Sequence, residues 1–207
     1  MKAVVVDAIN QFSVQEVSLD PPKAGEVKVK MMATGICRSD LSVITGKIPM
    51  QLPGVIGHEG AGIVAELGEG VKDLAIGDHV VLSFVPNCGE CFYCEHEQAY
   101  LCASNKQSFG YMLDGTTRLH RGDEDLTVMT QLGCMAEECV APAISCVKIE
   151  DNIPMSSAAL IGCGVMTGVG AALNAAQVQP GTTAVVFGCG GIGLSAIQGA
   201  RIAGATQ

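Results

Sequence analysis

The sequence predicts two structural parts: an irregular, β-rich N-terminal part and, after it, the opening of an α/β unit. In the first part, glycines such as Gly54, Gly57, Gly60 and Gly62 separate short apolar segments, a pattern typical of turns between strands. After about residue 155 the chain becomes rich in alanine and glycine. A glycine-rich turn then lies between a strand-like and a helix-like segment. We therefore predict one domain over residues 1–155 and the beginning of a second over residues 156–207.

Four apolar segments predict strands in the first part. Residues 3–6 are uniformly apolar, and residues 27–31 alternate valine or methionine with lysine, as expected of a strand with one buried face. Residues 63–67 and 79–84 predict two more strands. The long segment 85–135 is polar and lacks periodicity, so we expect a bound metal to order it.

The second part predicts a helix, a strand and a second helix. Residues 156–174 are rich in alanine and glycine and favour a helix. Residues 183–187 (TAVVF) are rich in β-branched and apolar side chains, which predicts a strand. Residues 194–203 then have the pattern of a helix.

Composition limits the kind of protein this is. The 207 residues are 48% hydrophobic and 16% charged, and the formal net charge is −9, which describes a well-cored globular protein. Only 12 lysines and arginines are spread along the chain, so we expect no nucleic-acid partner. Glycine, proline and charges interrupt every apolar stretch, so we also expect no membrane span. We predict a cytoplasmic protein.

Four cysteines form the most informative motif. Cys88, Cys91, Cys94 and Cys102 have the spacing C-x2-C-x2-C-x7-C, which lets one short loop surround a single ion with four sulfur ligands. Thiolates are soft ligands that favour zinc or iron over magnesium or calcium. A zinc ion with four protein ligands has no open position, so this ion would be structural.

Two other interpretations compete with zinc. A pair of disulfides is typical of small secreted domains, but the N-terminus has no signal-peptide pattern. An iron–sulfur centre of the bacterial ferredoxin type requires C-x3-C-P at the end of the motif, whereas Cys102 follows Cys94 after seven residues and precedes Ala103. The spacing therefore favours zinc.

The glycine-rich turn predicts dinucleotide binding. Gly188, Gly190 and Gly193 form G-x-G-x-x-G, with Gly191 between them, after the predicted strand and before the predicted helix. Such glycines allow a tight turn and close backbone approach to a pyrophosphate, which the helix N-terminus also attracts. The ribose-reading residue lies about 20 residues further on, beyond Gln207, so NAD and NADP are both open. The unit is expected to be incomplete, since one βα unit leaves apolar surface exposed.

These motifs together resemble the zinc-dependent medium-chain alcohol dehydrogenases. The resemblance also includes residues 35–40 (GICRSD) and 57–62 (GHEGAG), and it extends over almost the whole chain. Residues 114–119 (DGTTRL) and 162–168 (GCGVMTG) resemble in particular the long-loop group, which contains the liver-type and glutathione-dependent formaldehyde dehydrogenases. The resemblance implies a partly open GroES-like β-barrel followed by a Rossmann domain.

The resemblance also implies a second, catalytic zinc ion. Its ligands would be Cys37, His58 and Cys163, with Glu59 as an occasional ligand and water in the open position, the arrangement typical of catalytic zinc. Asp40 would orient the histidine ligand. An alcohol bound at such a zinc loses its proton more readily.

Further residues receive roles from the same resemblance. Ser39 would accept the substrate proton, Thr167 would contact the nicotinamide side of the cofactor, and Arg38 would lie near the cofactor phosphates. Ile48 and Phe84 would form an apolar substrate pocket.

Three positions depart from the pattern of the family. Ser42 replaces the histidine that completes the proton relay in liver-type members. Ile48 and Lys106 stand nearest to the acid and the arginine that glutathione-dependent members use, which argues against glutathione adducts. An apolar pocket instead favours a primary aliphatic or aryl alcohol.

The resulting hypothesis is an NAD- or NADP-dependent alcohol dehydrogenase with two zinc ions per chain. It would oxidise a small alcohol to an aldehyde, reversibly, and the full-length form would be a homo-oligomer. The alternative is a non-catalytic, zinc-stabilised module that requires a complementary fragment for turnover.

Overall fold

The computed structural model describes residues 1–103 and 110–207. The strands within these ranges form two sheets. They are β1 (Lys2–Ala8), β2 (Gln11–Glu16), β3 (Ser18–Leu19), β4 (Glu26–Thr34), β5 (Gly54–Val55), β6 (Gly60–Leu67), β7 (His79–Leu82), β8 (Leu119–Arg121), β9 (Glu124–Val128), β10 (Glu138–Pro142) and β11 (Cys146–Lys148). The four predicted strands correspond to β1, β4, β6 and β7, so these predictions are confirmed.

The two sheets have six and five strands among the described residues. The larger has the order β2-β1-β5-β9-β8-β3, and the smaller has the order β10-β4-β6-β7-β11. Neighbouring strands are antiparallel, except that β5 and β9 are parallel. In the smaller sheet Val29 of β4 lies opposite Val64 of β6 and Cys139 of β10. All three side chains are buried and belong to one hydrophobic cluster, so this sheet has one face on the core.

The helices are short and most follow the sheets. They are α1 (Arg38–Ile44), α2 (Phe92–Glu95), α3 (Met155–Ala158), α4 (Gly164–Gly170) and α5 (Gly191–Ile202), with 3-10 turns at Ala99–Leu101, Met129–Gln131, Ala143–Ser145 and Ala159–Gly162 and a π-helical turn at Ala171–Ala175. The predicted helix over residues 194–203 is confirmed by α5.

The helix predicted over residues 156–174 is confirmed in two helical halves, with an interruption at Cys163. The two halves, Met155–Gly162 and Gly164–Ala175, meet at 56°. A Cβ on Gly162 would overlap the carbonyl oxygen of Leu82, so β7 and the helical segment approach each other closely at the break. Cys163 has φ −140° and ψ −73°, outside the helical range.

The predicted strand over residues 183–187 is not formed, although the helix after it is. A strand needs hydrogen bonds to a neighbour. The described chain provides only the start of such pairing: Thr206 N–H donates to Thr182 O at 2.9 Å and Ala184 N–H donates to Gln207 O at 2.7 Å. Val185 and Phe187 are 72% and 96% exposed.

The segment 85–135 is more regular than predicted. Its second half forms β8 and β9, which pair in the six-stranded sheet. Arg118 lies at the start of this half and is 2% exposed. Its guanidinium contacts both carboxylate oxygens of Glu26, at 2.6 and 2.9 Å, and Asp114 at 2.8 Å. The 114–119 motif thus connects this segment to the start of β4.

No single helix within residues 1–103 and 110–207 is long and apolar enough to cross a bilayer. The bent pair Met155–Gly162 and Gly164–Ala175 meets the length and composition requirements only when its halves are taken together.

Candidate metal centres and nucleotide cleft

The structure brings Cys88, Cys91, Cys94 and Cys102 together, and we call this cluster the four-cysteine site. Their sulfur atoms all lie within 4.8 Å of one another. Cys91 is 3.6 Å from Cys94 and 3.9 Å from Cys102, and Cys102 is 3.6 Å from Cys88. These separations exceed a disulfide bond of about 2.05 Å. A tetrahedron with Zn–S bonds of about 2.3 Å has S–S edges of about 3.8 Å. The donor set therefore fits a tetrahedral zinc ion.

Local structure explains how one short loop forms the four-cysteine site. Gly89 has φ +76°, a left-handed conformation that glycine adopts without strain, and it turns the chain directly after Cys88. Cys91 is the N-terminal flanking residue of α2. Burial raises the pKa of Cys94 to about 11, so a bound cation would have to displace a proton there.

The second cluster joins Cys37, His58, Glu59 and Cys163, and we call it the mixed site. One donor atom from each side chain lies within 4.8 Å of the other three. Cys37 precedes α1, the His58–Glu59 pair precedes β6, and Cys163 occupies the break before α4. His58 and Glu59 are 2% and 4% exposed. Two thiolates, an imidazole and a carboxylate form a set that suits zinc.

Asp40 organises two parts of the mixed site at once. One carboxylate oxygen accepts the Cys37 backbone N–H at 2.8 Å and closes the N-terminal cap of α1. The other lies 3.1 Å from His58 Nδ1. Burial lowers the pKa of His58, but the hydrogen bonds with Asp40 and Cys163 outweigh it and raise the pKa to about 10. Because Asp40 contacts Nδ1, the other ring nitrogen, Nε2, is the one available to bind a metal ion.

A cavity of about 570 Å³ connects the mixed site to the glycine-rich turn. Its lining comes from two parts of the chain. The first contributes Ile36, Cys37, Arg38, Glu59, Leu160, Cys163, Gly164 and Val165, and the second contributes Val186, Phe187, Gly188, Gly190, Gly191, Ile192, Gly193, Ser195 and Ala196. One cleft is thus lined both by Cys37, Glu59 and Cys163 of the mixed site and by the predicted phosphate-binding backbone.

The glycine-rich turn has the close contacts that its sequence pattern requires. Gly190 is the flanking residue at the N-terminus of α5. A Cβ on Gly193 would overlap the carbonyl oxygen of Gly188, whose φ is +107°. Nothing lies within 4 Å of a Cβ on Gly190 or Gly191, so this side of the turn is open toward the cleft.

The remaining predicted residues are distributed around the mixed site. Ser39 Oγ lies 3.7 Å from Cys37 Sγ. Phe84 contacts the His58 ring edge-on, with ring centroids 5.3 Å apart. Phe84 and Thr167 line a second cavity, of about 630 Å³, that also reaches Cys163. Ile48 packs instead against the hydrophobic cluster that contains Val43 and Ile56.

Lys106 lies outside the described residues. Sequence reasoning missed Ile36, which is 86% exposed and lines the first cleft. Its position directly before Cys37 was the one available signal.

Comparisons with known proteins agree with this geometry. The family model described as alcohol dehydrogenase GroES-like domain matches residues 23–151, which confirms the predicted fold of the β-rich part. The chain is 45% identical over 206 residues to the NDMA-dependent alcohol dehydrogenase of Amycolatopsis methanolica, covering 99% of this chain and 56% of the relative.

Solved structures give the same result. An alcohol dehydrogenase zinc-binding domain protein from Burkholderia ambifaria superposes with TM-score 0.92 at 37% identity, covering 99% of this chain and 56% of that one. Benzyl alcohol dehydrogenase from Acinetobacter calcoaceticus superposes with TM-score 0.89 at 34% identity, with the same coverages of 99% and 56%. The chain spans about half the length of the proteins it matches.

Proposed function

The chain belongs to the alcohol dehydrogenase family with a GroES-like domain, and we propose that it carries the catalytic centre of a zinc-dependent alcohol dehydrogenase. The proposed reaction is reversible oxidation of a primary alcohol to an aldehyde by hydride transfer to NAD or NADP. One observation supports it above the others: a single cleft is lined both by Cys37, Glu59 and Cys163 of the mixed site and by the glycine-rich turn.

We propose two zinc ions per chain. The four-cysteine site would hold a structural ion, because all four donors come from protein. Cys37, His58 and Cys163 would hold the second ion, with Glu59 close enough to join them. When bound there, zinc supplies a Lewis acid that lowers the pKa of an alcohol.

The protein's own groups then have separate tasks. Asp40 holds the His58 ring in one orientation through the 3.1 Å contact to Nδ1. Ser39, whose hydroxyl lies beside Cys37, receives the proton of the substrate hydroxyl, and with Ser42 in place of a histidine the proton passes on through water or a ribose hydroxyl. The exposed Arg38 binds cofactor phosphate at the mouth of the cleft. The backbone N–H groups from Gly190 onward bind the pyrophosphate.

The substrate assignment rests on the apolar surroundings of the mixed site. Phe84 lies against His58, and Ile48 is assigned to the pocket by resemblance alone. Such surroundings favour a primary aliphatic or aryl alcohol, and a solved relative at 34% identity carries the name benzyl alcohol dehydrogenase. Thr167 is assigned to the nicotinamide side of the cofactor.

Three further assignments complete the proposal. The 114–119 and 162–168 motifs support membership of the long-loop group. A homo-oligomer is proposed for the full-length form. The protein is assigned to the cytoplasm on its composition.

A second candidate is a zinc-stabilised module that requires a complementary fragment for catalysis. The observation that favours it is the exposure of Val185 and Phe187, at 72% and 96%, beside the glycine-rich turn. Apolar side chains of a nucleotide-binding sheet are normally covered by further units.

Metal counting distinguishes the two candidates, which both require a complete nucleotide-binding part for turnover. We expect two zinc ions per chain by mass spectrometry of metals, with Cys163→Ser and Cys91→Ser each removing one. Reduction of the nicotinamide by benzyl alcohol or ethanol is expected only when the nucleotide-binding part is complete. A single zinc ion that survives Cys163→Ser but is lost in Cys91→Ser contradicts the dehydrogenase proposal and supports the module.

A further inference from the structure

We propose that Gly35 is a positioning residue, whose missing side chain admits the Glu59 carboxylate to the mixed site. The inference rests on the proposed function, because it takes the mixed site as a metal centre. Gly35 follows β4 and precedes the ligand Cys37 by two residues. It is buried and had no role in the sequence-based prediction beyond its place in the 35–40 motif.

Space, and not backbone conformation, requires a glycine at this position. A Cβ on Gly35 would overlap Glu59 Oε2, and it would lie 3.0 Å from Glu59 Cβ and 3.0 Å from Leu160 Cδ2. The φ of Gly35 lies outside the left-handed region, so an L residue could adopt this backbone. The severe conflict is therefore with the far end of the Glu59 side chain, which occupies the position of the missing methyl group, whereas Glu59 Cβ and Leu160 Cδ2 need to shift by only a few tenths of an ångström.

The backbones on either side are held together and do not separate easily. Gly35 N–H donates to Glu59 O at 2.8 Å, and Thr34 Oγ1 donates to the same oxygen at 3.0 Å. Immediately beside them, Thr34 of β4 pairs with Gly60 of β6. Since these contacts fix the main chain, an added methyl group at residue 35 displaces the flexible carboxylate and leaves the sheet intact.

The displaced carboxylate would leave the group of donors. Its ligand oxygen now lies within 4.8 Å of the donor atoms of Cys37, His58 and Cys163. On its other side a Cβ on Gly164 would meet Glu59 Oε1 at 3.6 Å, an ordinary contact. Gly35→Ala thus removes one oxygen donor from the mixed site, while the two thiolates and the imidazole keep their positions.

Cobalt(II) substitution tests this prediction, because its visible spectrum reports the number and type of ligands. The purified protein would be loaded with cobalt as wild type, Gly35→Ala, Glu59→Ala and the double variant. Absorbance from the four-cysteine site is common to all four and cancels in difference spectra. We expect Gly35→Ala to give the spectrum of Glu59→Ala. Both should bind metal at the mixed site at least about tenfold more weakly than wild type, the loss of affinity typical of lost supporting contacts, and should therefore release it to a chelator faster.

The double variant makes the inference specific. If Gly35 acts only through Glu59, then Gly35→Ala adds nothing in the Glu59→Ala background. Gly170→Ala is the matched control, because a Cβ there meets only Asn174 Nδ2, at 3.8 Å, and it should match wild type in spectrum and release rate.

Two results would overturn the inference alone: a wild-type spectrum for Gly35→Ala, or an equal acceleration of metal release by Gly35→Ala with and without Glu59. A wild-type protein that takes up cobalt only at the four-cysteine site would overturn both this inference and the proposed function.

Discussion

The four-cysteine site and the mixed site are assembled over very different lengths of chain. The first uses residues 88–102, whereas the second combines side chains from residues 37, 58–59 and 163. A short loop can form around its ion almost independently of the rest of the protein. The mixed site exists only when β4, β6 and the break before α4 have reached their final positions. We therefore expect the two sites to respond differently to local and global changes.

The largest expected effect is loss of the ion from the four-cysteine site in Cys91→Ser. Structural zinc contributes about 10–16 kcal/mol of binding free energy in small zinc-binding peptides, so removing one of four thiolates should unfold residues 88–102. We expect faster proteolysis within this loop and one zinc ion fewer per chain.

The control for this prediction is Cys163→Ser, which should lose the other zinc ion without exposing residues 88–102 to protease. Equal proteolysis of the loop in both variants would contradict the independence of the two sites.

The next largest effect is expected at the buried ion pair between Arg118 and Glu26. Glu26→Gln leaves the guanidinium, which is 2% exposed, without one of its two charged partners. Breaking a buried pair in this way costs about 3–5 kcal/mol. Because Glu26 begins β4, the strand that leads to Cys37, we expect this loss of stability to affect the whole fold. We expect a lower denaturant midpoint and faster zinc release from the mixed site, with little change at the four-cysteine site.

Lys28→Met is the matched control for the same strand. Its partner Glu66 is 2.9 Å away and half exposed, so we expect a change below about 1 kcal/mol. A Glu26→Gln variant as stable as Lys28→Met would show that the buried pair contributes nothing.

Asp40→Asn should weaken the mixed site with a smaller effect on the fold. An amide keeps the size of the side chain, but it no longer offers two acceptor oxygens to Cys37 N–H and His58 Nδ1. Loss of such supporting contacts costs about 10–100-fold in metal affinity. We expect that loss at the mixed site alone, measured by competition with a chelator. An equal loss at the four-cysteine site would show that Asp40→Asn acts through the whole fold.

The different sequence separations of the ligands in the two sites also explain what the sequence could predict. The four-cysteine site follows from spacing, since Cys88 to Cys102 are neighbours along the chain. No spacing rule joins Cys37 to Cys163, and only resemblance to a family did so. Residues 156–174 have helical composition, but the helix is interrupted at Cys163, next to a tertiary contact between Gly162 and Leu82 that composition does not reveal. The Gly162-Cys163-Gly164 sequence was the available signal of that break. Residues 183–187 do not form a strand, although their composition favours one, because a strand also requires hydrogen bonds to a neighbouring strand.

The role of Gly35 illustrates the same limit. Its motif is visible in the sequence, yet the reason for a glycine is a carboxylate 24 residues further along the chain, at Glu59. Local chemistry identifies ligands, whereas the space that admits them depends on which strands become neighbours.

The smallest predicted effect is a pH dependence that originates at Asp114, next to the buried pair. Burial raises the pKa of Asp114, but hydrogen bonds from Lys23, Thr116 and Arg118 outweigh it and hold the pKa well below its usual value. A group whose pKa is depressed by folding stabilises the protein above its unfolded pKa, about 3.9, and this contribution is lost as the pH falls toward the folded pKa. Asp114→Asn should therefore be less stable than wild type above about pH 5, and the difference in stability should shrink as the pH falls toward 3.

Denaturant unfolding of both proteins across this pH range measures the difference in their free energies of unfolding. Metal loss in acid does not affect this difference, because it is common to both proteins. A difference that stays constant with pH would mean that Asp114 acts through packing and not through its charge, and the link between residues 114–119 and β4 would then rest on the Arg118–Glu26 pair alone.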